Sequence, residues 1–154
     1  MIHLVDYRPE YSQYFEIFNK AWLEEYFVVE PLDKYVLENP EEAIIKAGGR
    51  IYFAEHEGKI VGTVALRVAG PGVLELTKMA VDKKSQGIGA GKMLCREAII
   101  KAREMGAHTL ILYTQSKLLA AIGIYHSLGF KDIPIGEGIY KRADIKMELL
   151  LSRS

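Results

Sequence analysis

The chain has 154 residues, 49% hydrophobic and 26% charged, with twenty basic and twenty acidic side chains that cancel. That is enough apolar content for a real core, so residues 1–154 are read as a single globular domain, and the neutral total speaks against a general nucleic-acid or membrane-surface binder. The apolar runs fall short of a membrane span and the N-terminus MIHLVDYRPEY lacks the basic, apolar and small-residue order of an export signal, so a cytoplasmic protein is expected.

Ile2 to Asp6 reads as a short strand, and Pro9 suits the first turn of a helix on which Tyr11, Phe15, Phe18, Trp22 and Tyr26 recur at helical spacing. The stripe runs on into Tyr26-Phe27-Val28-Val29-Glu30-Pro31-Leu32-Asp33, where aromatics and carboxylates mix. An amine-bearing substrate would suit such a wall, with Trp22, Tyr26, Glu30 and Asp33 as candidate contacts; a solvated connection between helices is the other reading. Asn39-Pro40-Glu41-Glu42 has the cap, proline and acidic order of a helix start, and Gly48-Gly49 would end that helix. Arg50 to His56 and Lys59 to Arg67 then form a hairpin about Glu57-Gly58, and Ala69-Gly70-Pro71-Gly72 turns into the next strand.

That strand, Val73 to Val81, is the central one. Leu74 and Leu76 share one face, but the next apolar residues of similar weight are Met79 and Val81, so the alternation changes parity at Thr77-Lys78. One inserted residue, a β-bulge, has that effect and splays a strand beside an active site. A plain strand with Lys78 snorkelling is the alternative. After the polar Asp82 to Ser85 come Gln86-Gly87-Ile88-Gly89-Ala90-Gly91-Lys92 and a helix with Leu94, Ala98, Ala102 and Met105 on one stripe, stopped by Gly106. Strand, glycine-rich turn and helix start make an anion site suited to a pyrophosphate. A Walker loop is excluded because Gln86 stands where its first Gly should be and Met93 where its hydroxyl residue should be. The dinucleotide fingerprint fails at Lys92, which takes the place of its third Gly.

Thr109 to Thr114 reads as a buried strand, parallel to the central one because a helix joins them. Ser116 can cap a helix from Lys117 to Leu128, ended by Gly129, and Asp144 to Leu151 forms the last strand after the loop Ile133 to Arg142. Hairpin-connected strands followed by strand, helix and strand describe an α+β fold with a mixed sheet, not a doubly wound one. The single cysteine, Cys95, is placed for packing. His3, His56, His108 and His126 lack ligand spacing to one another or to Cys95, so no metal site is expected.

Gln86, Gly89 and Gly91, in a Gln/Arg-x-x-Gly-x-Gly/Ala pattern after a bulged strand, resemble the acetyl-CoA-binding loop of the GNAT superfamily of N-acetyltransferases. The segment Ala121-Ile122-Gly123-Ile124-Tyr125-His126-Ser127-Leu128-Gly129-Phe130 is similar to that superfamily's Ala-x-x-x-Tyr-x-x-x-Gly-Phe. Leu118 departs from the Asn common seven residues before this Tyr, which would leave a pantetheine hydrogen bond there to the backbone. Asn19 to Asp33, Gly48-Gly49 and Tyr140 to Leu149 look like a branch fused in some bacterial proteins to a MarR-type regulator, though no such DNA-binding domain fits in this chain.

The resemblance implies a mixed, mostly antiparallel sheet flanked by helices, with a bulged fourth strand and parallel fourth and fifth strands. It implies acetyl-CoA as co-substrate and transfer to the amine of a small molecule or peptide. By the same resemblance, Met79, Ala80 and Val81 would hold the pantetheine. Gln86, Gly87, Ile88, Gly89, Ala90, Gly91 and Lys92 would hold the pyrophosphate. Ala121 and Tyr125 would also bind the acetyl-CoA, with Tyr125 near the sulfur as general acid because phenol stays protonated near neutrality. Glu75, of opposite parity to Leu74 and Leu76, is the candidate base, with a structural ion pair as its other reading. A homodimer is admitted, with Ile139-Tyr140 as exposed apolar surface. The second reading of the whole chain is a non-catalytic CoA-binding sensor; Tyr125 favours the enzyme and Leu118 the sensor.

Overall fold

The computed structural model describes residues 1–136 and 140–151. Among them, strands β1 (Ile2–Asp6), β2 (Arg50–His56), β3 (Lys59–Gly70), β4 (Val73–Val81), β5 (Thr109–Thr114), β6 (Lys131–Ile133) and β7 (Ile145–Leu150) form one sheet in the order β1-β2-β3-β4-β5-β7-β6. Pairing is antiparallel throughout except between β4 and β5, which run parallel through Val73 to Glu75 and Thr109 to Ile111. The helices are α1 (Ser12–Tyr26), α2 (Pro31–Glu38), α3 (Ala90–Glu104) and α4 (Leu119–Ser127).

Strand alternation sorts the core onto two faces. Ile51, Phe53 and Ala65 join Phe15, Leu23, Val36 and Leu37 of α1 and α2. Tyr52, Ala54, Val64 and Leu66 join Leu94, Cys95, Ala98 and Ala102 of α3 on the other face. Residues of period two thus meet helices of period 3.6 on both sides, and the strands read as nearly continuous apolar runs for that reason.

Turn chemistry fixes the registers. Glu57 and Gly58, at φ 51° and 77°, make the β2–β3 turn with both central residues left-handed, which matches the twist of paired strands. Where Asn39-Pro40-Glu41-Glu42 predicts a helix, the chain makes one wide turn, Glu41–Ile45, with the Lys46 N–H donating to the Glu41 carbonyl at 2.8 Å. The regular helix lies earlier, at α2, where Glu30-Pro31-Leu32-Asp33 supplies the same proline-then-acid order; the Asp33 carboxylate accepts from the Glu30 N–H at 2.9 Å. Ser116 does not cap α4. Its N–H and hydroxyl both donate to Asp144, each at 2.8 Å, tying the end of β5 to the start of β7. The three-residue β6 is a strand that the sequence pattern did not predict, and its last residue, Ile133, is where the loop to Arg142 was expected to begin.

Gly49 is a packing requirement, since a Cβ there would collide with the Leu66 carbonyl oxygen and lie 2.9 Å from that of Ile44. Gly58 has open space around it but a left-handed backbone. We expect Gly49→Ala to destabilise the fold by about 3 kcal/mol, the upper end for overpacking, and Gly58→Ala by only about 1 kcal/mol of backbone strain. Urea unfolding of the two variants checks that order, and equal losses would contradict it.

Candidate functional site

Between the pairs Thr63↔Ala80 and Ala65↔Thr77, β3 advances two residues while β4 advances three. The extra residue is Lys78, at φ 54°, so the parity slip in the sequence marks a true bulge. Its side chain does not snorkel. Lys78 is 8% exposed, with its ammonium 2.6 Å from Asp33 Oδ1. A left-handed lysine costs on the order of 1 kcal/mol, and the partner fixed beneath it holds that conformation in place.

Beyond Glu75 and Ile111, β4 and β5 separate, and β5 continues only with β7. A cavity of about 750 Å³ lies in the opening. Leu76 to Val81 of β4 form one wall, so Met79, Ala80 and Val81 present a backbone edge without a strand partner on that side. Tyr113, Thr114 and the first turns of α4 form the other wall.

One end of the cavity is closed by Gln86, Gly87, Gly89, Ala90, Gly91 and Lys92. Gly87 and Gly89 have φ of 89° and 85°, conformations that turn the chain into the start of α3. The first bond of α3 runs from the Met93 N–H to the Gly89 carbonyl, and no described residue accepts from the N–H groups of Gly87 to Lys92. Consecutive unpaired amides at the positive end of a 15-residue helix, with the Lys92 ammonium beside them, attract an anion. Ile88 does not line the cavity and is 39% exposed.

Ala121 and Tyr125 reach the cavity from α4. Tyr125 is 8% exposed, with its ring edge-on to Phe130 at 5.9 Å. No described residue hydrogen-bonds its hydroxyl, yet no described buried side-chain oxygen or nitrogen lacks a partner, so that oxygen opens on the cavity. Burial lifts its phenol well above the ordinary value and keeps the proton on. Cys95 is fully buried beneath, its thiol pushed up to about 12 by desolvation, and serves packing. Leu118 offers the cavity only an apolar side chain.

The other end is aromatic and charged. Trp22, Tyr26 and Phe27 form a corner, with Trp22 5.7 Å from Tyr26 and 5.5 Å from Phe27. Glu30 and Asp33, expected beside an amine, do not line the cavity. Asp33 is fully buried and accepts from Lys78, from Arg142 Nη1 at 2.6 Å and from Arg142 Nη2 at 3.0 Å. Glu30 accepts from Arg142 Nη1 at 3.0 Å and from the Lys141 N–H at 3.1 Å. Their carboxylates fasten α2 to the segment before β7, and the cations Lys78 and Arg142 face the cavity in their place.

Burial by itself would raise the Asp33 carboxyl, but hydrogen bonds and charge from Arg142 and Lys78 outweigh it and hold the group below the usual carboxylate range. Desolvation lowers the Lys78 ammonium, with Asp33 opposing. Tyr140, read as exposed surface, is 5% exposed, and its companion Ile139 lies outside the described residues. The Tyr140 ring stands 4.7 Å from the Lys78 ammonium and 4.6 Å from the Arg142 guanidinium, and its hydroxyl donates to Glu75 Oε2 at 3.3 Å. Glu75 is 1% exposed; its Oε1 accepts from Arg67 Nε at 2.9 Å and Nη2 at 2.8 Å. The candidate base is therefore both ion-paired and part of the cavity lining. Sequence reasoning missed Lys78, Tyr140 and Arg142 as site residues; the cationic and aromatic run Tyr140-Lys141-Arg142 was the available signal. Among the described residues, no three His, Cys, Asp or Glu side chains gather where they could share a metal ion, and no helix is long and apolar enough to cross a membrane.

The model of the acetyltransferase (GNAT) family matches residues 11–130. Human N-acetyltransferase 8B is 40% identical over 91 residues, 56% of this chain and 40% of the human protein, so the chain spans well under half of that relative. An acetyltransferase of the GNAT family from Staphylococcus aureus Mu50 superposes with a TM-score of 0.86 over 99% of this chain and all of its own, at 24% identity. YncA of Salmonella typhimurium, solved with its cofactor acetyl-CoA, superposes with a TM-score of 0.77 over 100% of this chain and 96% of its own, also at 24% identity.

Asp33→Asn leaves Lys78 and Arg142 facing each other across a neutral group, and we expect it to cost about 3 kcal/mol in urea unfolding. Because folding depresses the Asp33 carboxyl, its contribution is fully present above the ordinary aspartate value and lost as pH falls through the folded value. The parent should therefore lose stability over that acid window more steeply than Asp33→Asn. Parallel stability curves for the two proteins would contradict this.

Proposed function

Because the chain belongs to the acetyltransferase (GNAT) family, we propose that it transfers the acetyl group of acetyl-CoA, drawn from the cytoplasmic pool, directly to the primary amine of a small molecule or peptide. The observation that carries this reading is the continuity of the cavity, which runs from the unpaired amides after Gln86, past the Tyr125 hydroxyl, to the aromatic and charged end at Trp22 and Arg142. Acetyl-CoA supplies a thioester, whose carbonyl becomes the new amide. The protein must position it, polarise it and manage two protons.

The N–H groups of Gly87 to Lys92 and the Lys92 ammonium would hold the pyrophosphate oxygens, and the donor set fits because those amides meet no described acceptor. The exposed edge of β4 at Met79, Ala80 and Val81 would hold the pantetheine arm, with an N–H near Met79 directed at the carbonyl oxygen. As the C–N bond forms and the C–S bond breaks, Tyr125 gives its proton to the departing sulfur and regains one from solvent. Its raised phenol keeps that proton available. Glu75, the carboxylate among the described lining residues, takes the amine proton through a water, with Tyr140 and Arg67 fixing its orientation. Lys78 and Arg142 disfavour a bound ammonium by like charge and so help to present the amine neutral.

A sensor that merely held CoA would have no use for a protonated phenol opening on the cavity. Tyr125→Phe should lower kcat by ~10²-fold while the acetyl-CoA Kd measured by calorimetry stays within about twofold. Because the phenol is raised, that deficit should stay constant from neutral pH into the ordinary phenol range. Undiminished turnover in the variant would remove Tyr125 from the reaction.

A further inference from the structure

The aromatic and charged end of the cavity has an electrostatic orientation, and with it a preference among amines. Asp33 and Glu30 stand behind, while Lys78 and Arg142 stand in front and line the cavity. Lys117 adds a third cation at that end: its ammonium donates to the Tyr26 carbonyl at 3.1 Å, sits 4.3 Å above the Phe27 ring, and has no carboxylate partner among the described residues. Glu75, the carboxylate that does reach the lining, is bonded by Arg67 and Tyr140. A polyamine or an aminoglycoside would bring extra positive charge into this field.

The Arg142 guanidinium is only partly satisfied. Both Nη1 hydrogens are engaged, one with Glu30 Oε2 and one with Asp33 Oδ2, and one Nη2 hydrogen goes to Asp33 Oδ1. Of the five donors of the planar fork, Nε–H and the second Nη2–H remain without a described partner. Those two hydrogens lie side by side on one edge of the group, spaced to take both oxygens of a carboxylate. The Trp22, Tyr26 and Phe27 corner lines the same cavity and offers aromatic surface, with Tyr26 42% exposed.

We propose that the acceptor is an α-amino acid with an apolar or aromatic side chain, its carboxylate on the open edge of Arg142 and its side chain against Trp22, Tyr26 and Phe27. This rests on the transferase reading above. Arg142 then serves twice: it holds the carboxylate, and with Lys78 and Lys117 it lowers the proton affinity of the neighbouring amine, which must be neutral to attack.

The direct test is equilibrium binding of N-acetyl-L-phenylalanine and of its carboxamide to the CoA-loaded protein, by calorimetry. The acid should bind at least roughly tenfold more tightly than the amide, as a charge-assisted bidentate pair requires. Arg142→Lys should bring that ratio close to one, and as a ratio it is insensitive to a partly unfolded preparation. Equal binding of acid and amide by the parent protein, or binding of neither, overturns the assignment. Thiol release with L-phenylalanine, L-phenylalaninamide and spermidine separates the two readings. Preference for the free acid supports the assignment; turnover of spermidine or the amide at equal or higher kcat/KM overturns it and leaves the transferase standing. Absence of turnover with any amine removes the transferase reading, while the binding ratio still decides the carboxylate site.

Discussion

The Lys78–Asp33 ion pair is the constraint on which the site depends. Lys78 is the inserted residue of β4, left-handed and almost wholly buried, and its ammonium reaches Asp33 from the other end of a 45-residue separation. A desolvated lysine without that partner would lose its charge or leave the interior, and the strand would have no reason to keep the extra residue there. With the partner present, β4 bends away from β5 after Glu75 and opens the sheet. The same carboxylate takes both ends of the Arg142 fork, so one buried charge positions the bulge, the start of α2 and the approach to β7 together.

Sheet geometry then distributes the chemistry. A closed parallel pair would have used the backbone of Met79 to Val81 for ladder bonds with β5; separation leaves that edge to the cavity. The helix that crosses between β4 and β5 begins at the wide end of the opening, so its unpaired amides face the same space. α4 supplies the opposite wall and carries Tyr125 into it, packed by Phe130 and by the buried Cys95 side of α3. A strand edge, a helix start and a phenol thus converge because two strands that begin as neighbours do not remain so.

Those parts that depend on near neighbours in the chain were legible. The parity change at Thr77-Lys78 announced the bulge, and alternate glycines before an amphipathic helix announced the anion loop. Glu57-Gly58 gave the hairpin. What escaped was short or long-range. α2 starts with Glu-Pro-Leu-Asp, with one acid in its first turn against two in the clearer Asn-Pro-Glu-Glu nine residues on, where the chain makes only a single wide turn. β6 has three residues, too few for a period to show. The pairing of Asp33 with Arg142 spans 109 residues, and no local pattern distinguishes a carboxylate that will meet an amine from one that will be taken by arginine.

That distinction changes the character of the cavity. Asp33 and Glu30 in its wall, added to Glu75, would have favoured a protonated amine and stabilised the form that cannot attack a thioester. With the carboxylates drawn back onto Arg142 and Lys78, the wall turns positive, and an amine bound there gives up its proton more readily. A cationic wall needs a counter-charge of its own, since desolvated cations are stabilised only by partners. Asp33 and Glu30 provide it from behind, leaving one edge of Arg142 to be completed from the front. An acceptor carrying its own carboxylate would complete that edge as it binds, so the group that anchors it and the field that activates its amine come from the same three cations.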